Sequence, residues 1–502
     1  MKYAQCIIEK EYHIGNTDPR LFGSFIEHLG RAIYTGIYEP AHPTADEQGF
    51  RKDVLDLVKQ LQVSIIRYPG GNFVSGYNWR DGIGPVQDRP SRLELAWKSI
   101  ETNEIGIDEF ADWCKKAGSQ VMEAVNLGTG TPADAGYLVE YCNHPAGTYW
   151  SDLRRQNGHE QPHHIKTWCL GNEMDGSWQI CRLSADDYGK KALEAAKIMR
   201  WVDSGIELVA CGSSNTDMPT FPEWDRIVLE YLYDQVDFIS LHRYYGHDDY
   251  DNLGDFLASF VDMDHFIHTI TATADYVQAK KRSKKVMYLS FDEWNVWAHR
   301  QESFKTWDIA KPRLEQVYNL ADALVMGGLL CSLLNHADRV KMACLAQLVN
   351  AIAPIYTQPG GAVIKQTIFY PFQQVSVYGR GSVLKPLITS PNYDSKIYGQ
   401  VPILQAAVVF DQSAGEVNLF ILNCDQLEDV EVTLDFRSFG SARLLEHVTL
   451  NGLDLTAINS FAEPEKVIPR SLSISGNHAE RHTAVLPKLS WNMLRFSAGV
   501  DR

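Results

Sequence analysis

The stretch Trp168-Cys169-Leu170-Gly171-Asn172-Glu173-Met174-Asp175 joins an apolar run, residues 165–170, to a polar corner. The run has the length and composition of a buried strand, and Gly171-Asn172-Glu173 ends it. In a parallel α/β barrel, the carboxyl end of a strand delivers its side chains to the active-site mouth. There an amide can hold a ligand hydroxyl while the carboxyl beside it moves a proton. A second stretch of this kind is Val286-Met287-Tyr288-Leu289-Ser290-Phe291-Asp292-Glu293-Trp294-Asn295. One such glutamate reads as readily as a helix cap or a surface ion pair. Two of them closing two strands, with aromatics alongside, read as the paired carboxyls of a glycosidase.

Working outward, the same unit recurs. Apolar strand-like runs lie at 21–26, 63–67, 121–126, 165–170, 207–212 and 238–242, then the run ending at Glu293, then 340–345. Segments of helical periodicity separate most of them, among them 50–61, 107–117, 185–202 and 314–334. Eight β/α units over this length predict an α/β fold, a (β/α)8 TIM barrel. A doubly wound open sheet is the competing arrangement. Polar residues recur at the strand ends: Glu27, Asn72, Asn126, Glu173, Tyr244, Glu293 and Gln347. A closed barrel gathers them at one mouth, whereas an open sheet spreads them out. After Pro359-Gly360-Gly361 the texture changes to short β-rich runs divided by Gly, Asn, Asp and Ser turns. That pattern predicts an antiparallel, jelly-roll-like β-sandwich. The expected division is a catalytic barrel at 15–358 and a sandwich made of 1–14 plus 359–502.

The chain has 502 residues, 45% hydrophobic and 22% charged, the make-up of an ordinary globular protein. Its formal charge of −16 argues against nucleic acid or an anionic membrane as partner. Charge interrupts the first eleven residues before an apolar signal core forms, and the apolar run 323–334 is too short to span a bilayer. The nine cysteines are scattered singly, most of them in apolar runs. They read as reduced core thiols, which predicts a cytoplasmic protein.

Other signals carry less. Glu27 either binds sugar hydroxyls or forms a barrel-end ion pair with Arg67 or His28. Asn72, after Gly70-Gly71, is either presented to a ligand or part of a plain turn. Trp97, Trp178, Trp294 and Trp297 lie where they can stack on sugar rings, or equally pack a core or lid. His159, His163 and His164 form a small cluster without carboxylates at metal-ligand spacing, so no metal is expected. Gly128-Thr129-Gly130-Thr131-Pro132-Ala133 lacks the third glycine and the Lys-Ser/Thr of nucleotide loops, and no Gly-x-Ser-x-Gly elbow is present. No cofactor is expected.

Four blocks in order closely resemble the family 51 glycoside hydrolases, the intracellular α-L-arabinofuranosidases. They are Phe22-Gly23-Ser24-Phe25-Ile26-Glu27-His28, Arg67-Tyr68-Pro69-Gly70-Gly71-Asn72-Phe73, Gly171-Asn172-Glu173-Met174-Asp175-Gly176 and Asp292-Glu293-Trp294-Asn295-Val296-Trp297. The resemblance runs nearly end to end. It implies retaining, metal-free, exo-acting removal of terminal α-L-arabinofuranosyl groups from arabinan, arabinoxylan and their oligosaccharides. By motif, it makes Glu173 the acid/base and Glu293 the nucleophile, and it lines the sugar subsite with Glu27, Arg67, Asn72, Asn172 and Tyr244. A glutamine after the last barrel strand also belongs to the pattern; it falls on Gln347, with Asn350 close by. Members are commonly hexamers, so the resemblance implies a homo-oligomer. Two other readings stand beside it: another retaining barrel glycosidase, such as an endoglucanase or xylosidase, or a sugar-binding protein without catalysis.

Overall fold

A computed structural model describes residues 1–298, 306–473 and 477–498. Eight parallel strands close into a barrel: β1 (Gly23–Phe25), β2 (Ile65–Tyr68), β3 (Gln120–Ala124), β4 (Thr167–Leu170), β5 (Glu207–Ala210), β6 (Phe238–Tyr245), β7 (Tyr288–Val296) and β8 (Val340–Ala346). Closure is made by β8 pairing back onto β1, with Cys344 opposite Gly23 and Ala346 opposite Phe25. Strands covered on both faces read as continuous apolar runs, and all four residues of β4 are buried. Phe25, Ile65, Met122, Cys169, Val209, Phe238, Met342 and Cys344 fill the barrel interior. A larger core lies between the barrel and its helices.

The helices begin where local chemistry starts them. The Ser184 side chain accepts from the Asp187 amide at the head of Ala185–Val202, and Asn319 and Asp322 cap Leu320–Asn335 reciprocally. Gly118, at φ 77°, ends Ile107–Ala117 in the left-handed conformation that suits glycine. Helix Leu320–Asn335 is buried along nearly its whole length because the second β layer covers the face turned away from the barrel.

That layer is a seven-stranded antiparallel sheet in the order His13–Asn16, Ser382–Leu384, Leu404–Asp411, Glu416–Asn423, Ser490–Ala498, Ala442–Asn451, Arg470–Ser471. Period-two alternation divides its side chains. Ala407, Val409, Phe420 and Leu422 join the barrel-side core, whereas Ala406, Val408, Leu419 and Ile421 face the second sheet of the sandwich. In that second sheet Lys2–Ile7 lies between Leu387–Thr389 and Val430–Asp435. The N-terminal strand thus joins the C-terminal sandwich. It runs parallel to Val430–Asp435, the one departure from the antiparallel pattern among the described pairings of this sandwich. Helix Phe369–Tyr378 follows the expected boundary at 358, and its Ser376 hydroxyl donates to the Leu61 carbonyl at 2.6 Å, on the barrel side.

Candidate active site

The carboxyl ends of the barrel strands open into a cavity of about 790 Å³. Of the strand-end residues, Glu27, Asn72, Glu173, Tyr244, Glu293 and Gln347 line it. Asn126 does not. Its amide is spent on folding the 128–130 loop, accepting from the Gly128 and Gly130 amides and donating to the Tyr77 carbonyl. Trp97, Trp178 and Trp297 reach the cavity, while Trp294 is fully buried in the core. The alternation of β7 turns Trp294 toward the helices.

Glu293 lies inside β7, which continues to Val296 instead of stopping at the glutamate as expected. Between β6 and β7 the register passes from Ser240–Ser290 to His242–Glu293, so β7 carries one extra residue. Such a bulge re-aims side chains. Here it brings two consecutive residues into one network, since Asp292 and Glu293 both contact His242, at 2.9 and 3.6 Å. Tyr244 Oη donates to Glu293 Oε1 at 2.7 Å, and Arg67 Nη1 donates to Oε2 at 3.0 Å. Arg67 also holds Asn172 Oδ1 at 2.7 Å.

Glu173 follows Gly171-Asn172 at φ 44°, in the left-handed region that non-glycine residues rarely occupy. Strain of this kind costs on the order of 1–3 kcal/mol and gathers at functional sites. Its carboxylate accepts from Trp178 Nε1 at 2.6 Å and from His242 Nδ1 at 3.0 Å. One oxygen of Glu173, one of Glu293 and a ring nitrogen of His242 all lie within 4.8 Å of one another. Both carboxyls are 8% exposed, so neither is a surface ion pair.

Glu27 makes neither expected ion pair. His28 pairs with Glu101, and Arg67 with Glu293. Glu27 instead accepts from Trp97 Nε1 and the Phe73 amide, both at 2.8 Å, and faces Gln347 Nε2 at 3.3 Å. The close backbone approach of Gly70-Gly71 is to this carboxyl, since a Cβ on Gly71 would lie 2.8 Å from Glu27 Oε2. Gln347 is therefore the residue at the site. Asn350 is fully buried and bonds to the Arg31 carbonyl and Thr357.

Burial shapes the electrostatics. It pushes Glu27 up to about 8, helped by the Glu293 and Glu94 charges and opposed by the Trp97 and Phe73 donors. Burial raises Glu293 as well, Glu173 adding to the rise while His242 and Arg67 oppose it. Burial alone would lower His242; the carboxylates of Glu293, Asp292 and Glu173 outweigh it and hold the imidazole at about 10. His242 is thus a built-in cation between three carboxylates. Sequence reading passed over it, although its place two residues before Tyr244 on one strand sets both on the inner face.

Two side-chain clusters among the described residues have metal-ligand spacing. In Glu173–His242–Glu293 both imidazole nitrogens are engaged by carboxylates, Nδ1 with Glu173 at 3.0 Å and Nε2 with Asp292 at 2.9 Å. The other corrects the sequence reading of the histidines. His163 and His159 do have carboxylate neighbours, Asp108 at 2.7 Å from His163 and at 3.9 Å from His159. Helix Ile107–Ala117 supplies Asp108 from some fifty residues away.

A closed barrel carrying paired buried carboxyls at its carboxyl-end mouth is the architecture of a barrel glycosidase. Known proteins narrow the class. The profile of the α-L-arabinofuranosidase 1 domain matches residues 57–259, and that of the α-L-arabinofuranosidase C-terminal domain matches 292–490. The chain is 56% identical to the intracellular exo-α-(1→5)-L-arabinofuranosidase 1 of Bacillus subtilis strain 168, over 99% of each chain. It is also 56% identical to the intracellular exo-α-(1→5)-L-arabinofuranosidase of Halalkalibacterium halodurans, over 98% of each. Among solved structures, the family 51 α-L-arabinofuranosidase AbfB of Bifidobacterium longum superimposes with a TM-score of 0.94 at 44% identity, covering 99% of this chain and 100% of that one. The chain belongs to the family 51 α-L-arabinofuranosidases, which are glycoside hydrolases.

Proposed function

We propose that the protein is a retaining, exo-acting α-L-arabinofuranosidase that removes terminal arabinofuranosyl groups by double displacement. The observation that carries the retaining reading is the closeness of Glu173 and Glu293, whose nearest oxygens lie within 4.8 Å. Retaining pairs stand about 5–5.5 Å apart; inverting pairs stand about 6.5–9.5 Å apart to admit a water between them.

In the first step a Glu293 oxygen attacks the anomeric carbon, and the bond to the leaving oxygen breaks. Glu173 gives that oxygen its proton, leaving a glycosyl ester on Glu293. In the second step Glu173 takes a proton from water, whose oxygen attacks the anomeric carbon and returns the electron pair to Glu293. Tyr244 and Arg67 aim the nucleophile, and Trp178 holds the acid/base carboxyl. Glu27, Asn72, Asn172 and Gln347 offer the hydrogen bonds that fix a single furanose, with Trp97 and Trp297 as apolar walls.

The names of the relatives support (1→5)-linked arabinan as the first polymer to test, with arabinoxylan beside it. A cytoplasmic setting is supported by nine unpaired cysteines, eight of them buried. The hexamer rests on the family resemblance alone, and sedimentation velocity reads it directly.

The test is early-time NMR of the sugar released from 4-nitrophenyl α-L-arabinofuranoside. The α-anomer should appear first. Initial release of the β-anomer would overturn retention, and no release would overturn the substrate.

A further inference from the structure

The second cluster of histidines and carboxylates lies apart from the catalytic cavity, and the proposed chemistry makes no use of it. Asp108 comes from the first turn of helix Ile107–Ala117, and Asp112 stands one turn further along the same helix. His159 and His163 come from the segment between helix Tyr149–Gln156 and β4. None of the four is among the residues that line the cavity. Two histidines separated by three residues have the spacing of many zinc-binding pairs. The fold adds the carboxylates: one oxygen of Asp108 and one ring nitrogen of each histidine lie within 4.8 Å of one another.

An ordinary ion pair accounts for only one side of this arrangement. His163 Nε2 meets Asp108 Oδ1 at 2.7 Å, a direct hydrogen bond. His159 makes no such bond. Its Nε2 stands 3.9 Å from Asp108 Oδ2 and its Nδ1 3.9 Å from Asp112 Oδ2, both beyond hydrogen-bond length. Zinc sits about 2.0–2.2 Å from imidazole nitrogen and carboxylate oxygen, which sets the ligands of a tetrahedron roughly 3–3.5 Å apart. The distances of 2.7 and 3.9 Å fall on either side of that range, so movements of under about 1 Å gather the three groups around one ion. The surroundings hold the set in place. Tyr141 Oη donates to Asp108 Oδ2 at 2.6 Å and accepts from Asn157 Nδ2 at 3.0 Å. Outer hydrogen bonds of this kind fix a ligating carboxylate. His163 Nδ1 is buried without a partner, so no second group ties the ring's proton to one nitrogen, and Nε2 is able to present its lone pair. The His163 and Asp108 side chains are buried, while His159 is 21% exposed and gives an ion its way in from solvent.

We propose that Asp108, His159 and His163 form a binding site for a zinc ion, with Asp112 behind His159 as an outer carboxylate. Two imidazoles and one carboxylate suit zinc, whereas calcium and magnesium take oxygen ligands. The ion ties helix Ile107–Ala117 to the segment that leads into β4, the strand that ends just before Glu173. Its role is structural, and it takes no part in turnover.

The experiment titrates zinc chloride into the tag-free, chelator-stripped protein by calorimetry, with Tm and turnover of 4-nitrophenyl α-L-arabinofuranoside followed beside it. One equivalent should bind with a dissociation constant in the micromolar range or below, and turnover should be retained. Zinc at roughly a hundredfold over that constant should raise Tm by about 2–3 °C. Changes in the outer shell alone cost about 10–100-fold in metal affinity, so His159→Ala, which removes a ligand, should weaken binding at least tenfold. His159 makes no hydrogen bond through its ring to either carboxylate, so this variant should fold. Independently of any variant, zinc-edge X-ray absorption of the one-to-one complex should show two imidazoles. No binding below about 100 µM, a spectrum without imidazole, or an affinity that His159→Ala lowers less than tenfold overturns the site. Zinc that arrests turnover and stays bound in His159→Ala sits on the Glu173–His242–Glu293 cluster instead and overturns it equally.

Discussion

At the residue scale, the site turns on how three carboxylates and one imidazole share charge in a buried space. Glu293 is held by two donors, Tyr244 and Arg67, that favour its ionised form and aim it. Glu293→Ala should lose nearly all turnover on every substrate. Glu173→Ala should lose on the order of 10²–10⁴-fold on substrates with poor leaving groups, the usual worth of a positioned acid, and far less on a dinitrophenyl glycoside. Equal losses on both substrates would count against the acid role. His242 supplies the pH dependence. Its folded-state pKa of about 10 stands above the usual imidazole value of about 6.5. Its contribution to stability is therefore full below 6.5, declines as pH rises toward 10, and is gone above that. Over that window it adds a fall of up to about 1.4 kcal/mol per pH unit. His242→Gln should flatten the decline of Tm between pH 7 and 10; parallel curves for the two proteins would sink this assignment.

At the element scale, helix Leu320–Asn335 joins the two layers of the molecule. It packs on the barrel side and under the seven-stranded sheet, and two glycines admit that contact. A Cβ on Gly327 would lie 2.3 Å from the Trp491 ring, and one on Gly328 would lie 3.0 Å from Leu422. The Asn335 side chain also donates to the Ala406 carbonyl of the sheet at 2.9 Å. Gly327→Val should force the sheet from the helix, since overpacking of this kind costs about 1–3 kcal/mol. Calorimetry should show a Tm lowered by several degrees, with kcat on small glycosides maintained. An unchanged Tm would mean that the joint is loose. Bulged β7 makes a different point: one inserted residue decides that Asp292 and Glu293, neighbours in sequence, both reach His242.

At the scale of the whole molecule, much was legible because it is local. Apolar runs of strand length ended by Gly-Asn-Glu or Asp-Glu give away both a barrel strand and the carboxyl it presents. Helices such as Ala185–Val202 show themselves by period and cap. Repetition of the β/α unit eight times then leaves few ways to bury all the strands. The joining of Lys2–Ile7 to the sandwich follows from the barrel starting only after it. What stayed hidden depends on approach between distant segments. Asn126 and Glu173 are alike in sequence, each a polar residue closing an apolar run, yet only Glu173 faces the cavity. Asp108 could not be matched to His163 by spacing, nor Gln347 preferred to Asn350. In each case the deciding partner lies on another element.

The barrel, the sandwich and the family could be read from the sequence, which also singled out the two glutamates as candidates, because alternation, periodicity and motif act over a few residues. Only the tertiary structure decided that the glutamates lie within 4.8 Å, that His242 stands charged between them, and that Ile397 and Tyr398 from the C-terminal part of the chain line the cavity. Distance and dielectric arise when far-separated segments pack together and exclude water, and no local pattern records them.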